Sequence, residues 1–162
     1  MKSSIQFIFN NSELGAGTRG ASLGSNAILV AARSKSSLLF KNRSIQTVKN
    51  FNELLDRENT FPFAKHIDGM LDVFEATSKE ISNVLAEKKF PLIIAGDHCS
   101  AGGTIKGIQS ANPGKRIGVV WLDAHSDLHS PHTSPSGNSF ITFNVSSFFE
   151  YPQYYKFLAI SA

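Results

Sequence analysis

The 162-residue chain has little of what marks secreted, membrane-spanning or nucleic-acid-binding proteins. Its single cysteine, Cys99, excludes an internal disulfide framework. No apolar run reaches the roughly 18 residues that a membrane span needs, and the first residues do not form a signal peptide. The net charge of +3 is spread thinly, without a dense basic tract. We therefore predict a cytoplasmic protein that contacts neither a membrane nor nucleic acid.

Acidic residues are absent between Glu13 and Glu53, and this gap weakens an otherwise attractive motif. Gly15-Ala16-Gly17-Thr18-Arg19-Gly20 matches the G-x-G-x-x-G dinucleotide fingerprint between a predicted strand and a predicted helix. The fingerprint also requires a ribose-binding Asp or Glu about 20 residues further on, and the chain offers none there. We interpret the segment as a tight glycine turn, with dinucleotide binding as the less favoured alternative.

Hydrophobic periodicity predicts alternating strands and helices. Strands are predicted at residues 5–9, 45–48, 91–95 and 117–122. Helices are predicted after the 15–24 loop, over 65–88 and over 101–111, while 50–59 is either loop or a short helix. The apolar stripe of the 65–88 helix is assigned to the core: Ile67, Met70, Leu71, Phe74, Ile81, Val84 and Leu85. This alternation predicts an α/β fold with a parallel sheet covered by helices, in which ligands bind at the carboxyl ends of the strands.

Three residues with metal-binding side chains alternate just past the last predicted strand. In an extended segment Asp123, His125 and Asp127 share one face. His98 follows the 91–95 strand and reaches the same edge if the two strands are neighbours. Carboxylate and imidazole ligands suit Mn2+, Zn2+ or Fe2+. A single Asp or His after a strand is more often a cap or turn residue, but the four together favour a metal site.

These segments resemble signatures of the arginase/agmatinase (ureohydrolase) family, most closely those of arginase. Ala95-Gly96-Asp97-His98 is similar to its Gly-Gly-Asp-His signature, and Asp123-Ala124-His125-Ser126-Asp127 is similar to its Asp-Ala-His-x-Asp signature. Ser134-Pro135-Ser136-Gly137-Asn138 follows at the family's spacing, and the 12–24 segment is similar to the glycine-rich loop of arginases. The resemblance covers about residues 4–138. It implies the first half of a three-layer fold, a parallel sheet flanked by helices, and so a truncated domain.

The resemblance implies manganese-dependent hydrolysis of a guanidino substrate, arginine, to urea and an amine. Members of the family hold two Mn2+ ions that activate water. By position, His98 and Asp127 would bind one ion, His125 the other, and Asp123 both. Agmatinase and formimidoylglutamase are the alternatives within the family, and the resemblance leaves a homo-oligomer open. A non-catalytic fragment or assembly partner is the alternative from another class.

The substrate side matches the family less completely. Ser134, Ser136 and Asn138 correspond to the segment that reads the substrate α-carboxylate in arginases, but His129 stands where arginases commonly have Asn. Phe140 replaces the histidine that follows Ser-Gly-Asn in the family and is thought to shuttle protons. The family's later Asp-x-Asp motif has no counterpart in the chain. We therefore expect at most one weakly held Mn2+ and an incomplete, inactive site.

The composition changes abruptly at Ser139. Residues 139–162 contain eight aromatic residues, no glycine and one acid, Glu150. This change predicts two regions, 1–138 and a divergent aromatic-rich tail at 139–162 that arose by frameshift or premature termination. The alternative is a genuine aromatic-rich terminal element, which would need a partner surface.

Overall fold

The computed structural model describes residues 4–16, 18–59, 61–62 and 64–123, together with the backbone of Leu158 and Ala159. The strands are β1 (Ile5–Asn10), β2 (Ile45–Val48), β3 (Phe90–Ala95), β4 (Val120–Trp121) and β5 (Leu158–Ala159). The α-helices are α1 (Gly24–Ser34), α2 (Ile67–Ala86) and α3 (Ala101–Ser110). Short 3-10 helices span Ala21–Leu23, Asn52–Asp56 and His98–Ser100. No helix in these ranges is both long enough and apolar enough to cross a membrane.

The first three strands form a parallel sheet in the order β2-β1-β3. The central strand β1 is buried from Gln6 onward, as expected of a parallel strand with a partner on each side. Residues 90–95 of β3 are equally apolar, yet each is only partly buried or exposed. The predicted α/β fold with a parallel sheet and flanking helices is confirmed.

The last predicted strand is much shorter than expected. Only Val120 and Trp121 of the predicted strand 117–122 form β4, and β4 pairs in parallel with β5 instead of joining the sheet of β3. The periodicity of an apolar run reports a tendency to extend, but strand pairing depends on a partner elsewhere in the chain. The sequence therefore located this strand without identifying its neighbour.

Helices α2 and α3 form the main helix–helix contact. Met70, Val73 and Ile81 on α2 are fully buried. Leu71 was predicted to join this core stripe, but 58% of its surface is exposed because it lies on the solvent side of the helix. The other predicted stripe residues are buried or partly buried. In α1, by contrast, only Ser25 is buried, and Val30 is 60% exposed.

The glycine loop is organised around the carboxylate of Glu13. Its Oε2 accepts hydrogen bonds from the backbone N–H groups of Gly20 (2.8 Å) and Ser22 (3.0 Å). Gly20 has a φ of 102°, a conformation that favours glycine. A phosphate bound by a G-x-G-x-x-G loop uses such N–H groups. Here an internal anion uses them, which argues against the dinucleotide interpretation.

We expect Glu13→Gln to destabilise the fold by about 1–2 kcal/mol at neutral pH, the range for hydrogen bonds to a charged group that are partly retained. The N–H of Ser22 is the main cause that holds the pKa of Glu13 below its usual value, assisted by Gly20 and Arg19 and opposed by burial. This stabilisation is present above the unfolded-state pKa and is lost as pH falls through the folded-state pKa.

Urea denaturation of parent and Glu13→Gln from neutral pH to about pH 3, below the ordinary glutamate pKa, measures this effect. The difference between the two should shrink toward the acid end. The exposed Glu58 provides a matched control, and Glu58→Gln should be nearly neutral throughout. A Glu13→Gln variant as stable as Glu58→Gln at neutral pH would contradict the assignment.

Candidate metal centre

The segment that carries His98 begins where β3 ends, at the carboxyl edge of the sheet. Gly96 N–H donates to the carbonyl of Asn10 at 2.8 Å, so β3 and β1 end side by side. A Cβ on Gly96 would lie 2.6 Å from the carbonyl oxygen of Ser12. Glycine is therefore needed here to let the two loops meet, and the next residues turn into the His98–Ser100 helix.

The side chain of Asp97 holds this turn in place by hydrogen bonds from backbone N–H groups. Its carboxylate accepts the backbone N–H of Ser100 at 3.2 Å, as an N-cap residue does, and the backbone N–H of Gly15 at 3.0 Å. Burial raises the pKa of Asp97, and the backbone hydrogen bonds from Gly15, Ser100 and Cys99 act in the opposite direction. Asp97 was not among the predicted site residues, although aspartate directly before a helical turn is a common N-cap.

Cys99 turns away from the site, into the core. It is 1% exposed and belongs to a cluster with Leu14, Met70, Val73 and Phe74. Cys99 therefore serves as a small apolar packing residue and not as a site residue. A Cβ on Gly15 would lie 2.3 Å from the Cys99 sulfur, so the loop glycine is needed at this position because Cys99 occupies the space.

His98 and Asp123 meet at this edge. The Nδ1 atom of His98 lies 3.2 Å from Oδ2 of Asp123, and 38% and 19% of the two side chains are exposed. Two donor atoms that each bind one ion at about 2.1 Å are separated by about 3.0–3.4 Å in octahedral or tetrahedral geometry. The observed separation fits that requirement. Imidazole nitrogen and carboxylate oxygen are also ligands that Mn2+, Fe2+ and Zn2+ accept.

The pair forms although its strands are not paired with each other. β3 is hydrogen-bonded to β1, and β4 is hydrogen-bonded to β5. His98 was predicted to reach Asp123 if their strands were neighbours, but within the described residues the two side chains meet without such pairing. A cavity of about 690 Å³ lies between the two segments, and Asp97, His98 and Ser100 are among its lining residues.

Most of the cavity wall is apolar, with isoleucines from β3 and α3 and the 117–121 segment opposite. Carboxylate, imidazole and hydroxyl groups of the described lining come from Asp97, His98, Ser100 and Thr104. Of the described lining residues, only Asp97 and His98 carry an ionisable group, so a ligand that needs a charged partner would bind at the rim that these two residues form.

Trp121 lies against the imidazole of His98. The two rings are stacked, with centroids 4.8 Å apart and planes inclined by 17°. Trp121 is 9% exposed and packs with Ile105 of α3, flanked by Ala101 and Val119. Trp121 was not among the predicted site residues. Its position two residues before Asp123 was a usable signal, because alternate residues of an extended segment share one side.

The remaining predicted site residues lie outside the described residues: His125, Asp127, His129, Ser134, Ser136 and Asn138. Their assignments as metal ligands or substrate-binding residues stay predictions, as does the role of Phe140. Within residues 4–123, apart from the three positions left undescribed there, no group of three His, Cys, Asp or Glu side chains is arranged to hold a metal ion. The described part of the chain thus contributes one pair of candidate ligands.

Comparison with known proteins extends these observations. The arginase family model matches residues 7–147, a span that continues past Asn138. The arginase of Brevibacillus brevis is 35% identical over 130 residues, which cover 78% of this chain and 42% of that protein. The chain therefore spans less than half of this relative's length.

Solved structures show the same fold. The crystal structure of arginase from Bacillus subtilis strain 168 matches with a TM-score of 0.68 and 31% identity, over 89% of this chain and 48% of that one. The native arginase from Bacillus caldovelox matches with a TM-score of 0.72 and 23% identity, over 96% of this chain and 51% of that one. The described sheet and helices are thus similar to about half of a solved domain.

Proposed function

The chain belongs to the arginase family, and from this premise we propose that it supplies manganese ligands of an arginase-type ureohydrolase. The contact between His98 Nδ1 and Asp123 Oδ2 carries the proposal. His98 follows the carboxyl end of β3 and Asp123 that of β4, and α/β proteins bind their ligands at the carboxyl ends of strands. The spacing of the two atoms suits a shared ion, and both side chains remain partly accessible.

In this proposal four residues of the chain hold the metals. His98 and Asp127 would hold one Mn2+, His125 would hold a second, and Asp123 would serve both. When bound, the ions would lower the pKa of water and stabilise the charge that develops during hydrolysis. The contribution of the protein is positional: Asp97 fixes the backbone at His98, and β4 brings Asp123 to face it.

The proposed substrate is arginine. Water hydrolyses its guanidino group, and the products are urea and ornithine. Ser134 and Ser136 hydroxyl groups and the Asn138 amide N–H would donate hydrogen bonds to the substrate α-carboxylate, and His129 would add a further contact. A substrate without an α-carboxylate, such as agmatine, would not use these contacts. Comparison of arginine, agmatine and formimidoylglutamate therefore separates the three activities within the family.

We expect the 162-residue polypeptide on its own to release no measurable urea from arginine. In this family an Asp-x-Asp motif supplies further metal-binding carboxylates. This sequence contains no such motif. Phe140 also stands in place of the proton-shuttling histidine. Because groups that act as one catalytic unit contribute non-additively, loss of the shared carboxylates alone should leave little activity.

The assay measures urea release and Mn2+ content of the purified chain after dialysis. We expect at most about one Mn2+ per chain to be retained after dialysis, because a site completed by water binds its ion weakly. Turnover of arginine at about 1 per second or faster, within the usual enzyme range, would overturn the expectation of inactivity. Two tightly held Mn2+ ions would contradict the ligand count.

A chimera tests the function itself. Residues 1–138 replace the matching segment of Bacillus subtilis arginase, so that the remainder of that enzyme supplies the missing carboxylates. The chimera should release urea from arginine, and its Asp123→Asn variant should not. A folded chimera that binds Mn2+ but cleaves only agmatine would overturn arginine as substrate. A 162-residue chain that binds no Mn2+ would favour the non-catalytic fragment instead.

A further inference from the structure

We infer that Trp121 is a positioning residue that fixes the imidazole plane of His98 so that Nδ1 faces Asp123. The inference rests on the proposed metal site and extends it to a residue that would not itself bind metal. The His98 imidazole stacks on Trp121, with ring centroids 4.8 Å apart and planes inclined by 17°. Its Nδ1 atom lies 3.2 Å from Oδ2 of Asp123. One segment thus contacts His98 twice, at its face and at its edge.

The two contacts restrict different motions of the imidazole. Rotation about the bond to the ring has a broad energy profile for histidine, so an imidazole without packing samples many ring planes. A flat indole at stacking distance selects one plane. Within that plane, Asp123 selects the orientation in which Nδ1, and not a ring carbon, points toward the carboxylate.

Trp121 can act in this way because it is itself held in place. It is nearly buried and rests on Ile105 of α3, the helix that begins directly after the 98–100 turn. His98 is more accessible, at 38% of its side chain. A rigid ring thus supports a more exposed one, and the geometry of metal ligands depends on such supporting contacts.

The test compares Trp121→Leu, which keeps an apolar side chain but removes the flat face, with Trp121→Phe, which keeps an aromatic face. Mn2+ affinity is measured by electron paramagnetic resonance of the unbound ion. We expect Trp121→Leu to weaken binding about 10-fold, the lower end for loss of a group that supports a metal ligand. Trp121→Phe should restore most of the affinity. Val120→Ala, at a 76% exposed position on the same strand, is the control and should bind like the parent.

A spectroscopic readout separates positioning from general stability. The indole ring current shifts the ring-proton resonances of His98 in the metal-free protein, and His98→Gln identifies those resonances by their loss. The shift should vanish in Trp121→Leu and persist, reduced, in Trp121→Phe. Trp121 is the only tryptophan in the sequence, so protein fluorescence reports on it alone. Mn2+ should quench this fluorescence in the parent, with the same affinity that electron paramagnetic resonance gives.

The outcomes are distinguishable. A parent chain that binds no Mn2+ overturns the proposed function together with this inference. A parent that binds Mn2+ while Trp121→Leu binds equally well overturns the inference alone. Losses of Mn2+ affinity in Trp121→Leu and Trp121→Phe that simply follow their losses in unfolding free energy would also overturn the inference. Stability, and not ring stacking, would then explain the result.

Discussion

Replacement of Asp123 by asparagine is expected to abolish Mn2+ binding by the chain. Asp123 is the carboxylate that faces His98 across 3.2 Å, and in the proposed site it serves both ions. An amide keeps the shape of the side chain but removes the negative charge that balances the divalent cation. Loss of a direct ligand should exceed the 10- to 100-fold effect typical of supporting groups, so we expect a decrease of more than about 100-fold. Isothermal titration with Mn2+ measures it.

Asp72→Asn is the matched control, because it makes the same chemical change at an exposed position on α2. It should leave Mn2+ affinity unchanged. Cys99→Ser should also preserve affinity, since the Cys99 side chain lies in the core and not at the rim. Equal affinities of Asp123→Asn and the parent would remove Asp123 from the site, and with it the observation on which the proposed function depends.

The double substitution Gly103→Ala/Gly107→Ala is expected to destabilise the fold by about 2–4 kcal/mol net, from two overpacked positions in the upper part of the range of about 1–3 kcal/mol each, less about 1 kcal/mol of helix propensity per site. A Cβ at 103 would lie 2.9 Å from the Cα and carbonyl oxygen of Phe74, and one at 107 would lie 2.7 Å from the carbonyl oxygen of Ser78. These are backbone atoms of α2, so α2 and α3 would have to separate. The gain in helix propensity, about 1 kcal/mol per site, does not offset this.

Denaturant unfolding followed by circular dichroism measures the loss. Gly24→Ala is the control, because Gly24 lies at the start of α1 with open space around its Cα and an ordinary helical φ of −58°. It should be neutral or slightly stabilising. A double variant as stable as Gly24→Ala would show that the two helices can move apart at little cost. Since α3 follows the turn that holds His98, we also expect the double variant to bind Mn2+ more weakly.

The sequence predicted the strands and helices well where a pattern was local. The first strand, the 65–88 helix and the 91–95 strand all appear within one or two residues of the predicted bounds. Their periodicity follows from which side of each element faces the core. Leu71 shows the limit of such reasoning, because a leucine at helical spacing can still lie on the solvent side when no partner element covers it.

The sequence by itself determined the residue types at the site and showed that each follows a predicted strand. His98 follows β3 and Asp123 follows β4, but these strands are paired in different sheets, so local rules did not bring the two residues together. Tertiary structure decided which groups touch. The stack of Trp121 on His98 and the hydrogen bond from the Gly15 N–H to Asp97 join residues distant in the chain, and the Glu13 carboxylate accepts N–H groups seven and nine residues further along its own loop. Such contacts depend on the packing of whole elements, which periodicity does not encode, and therefore only the folded chain revealed them.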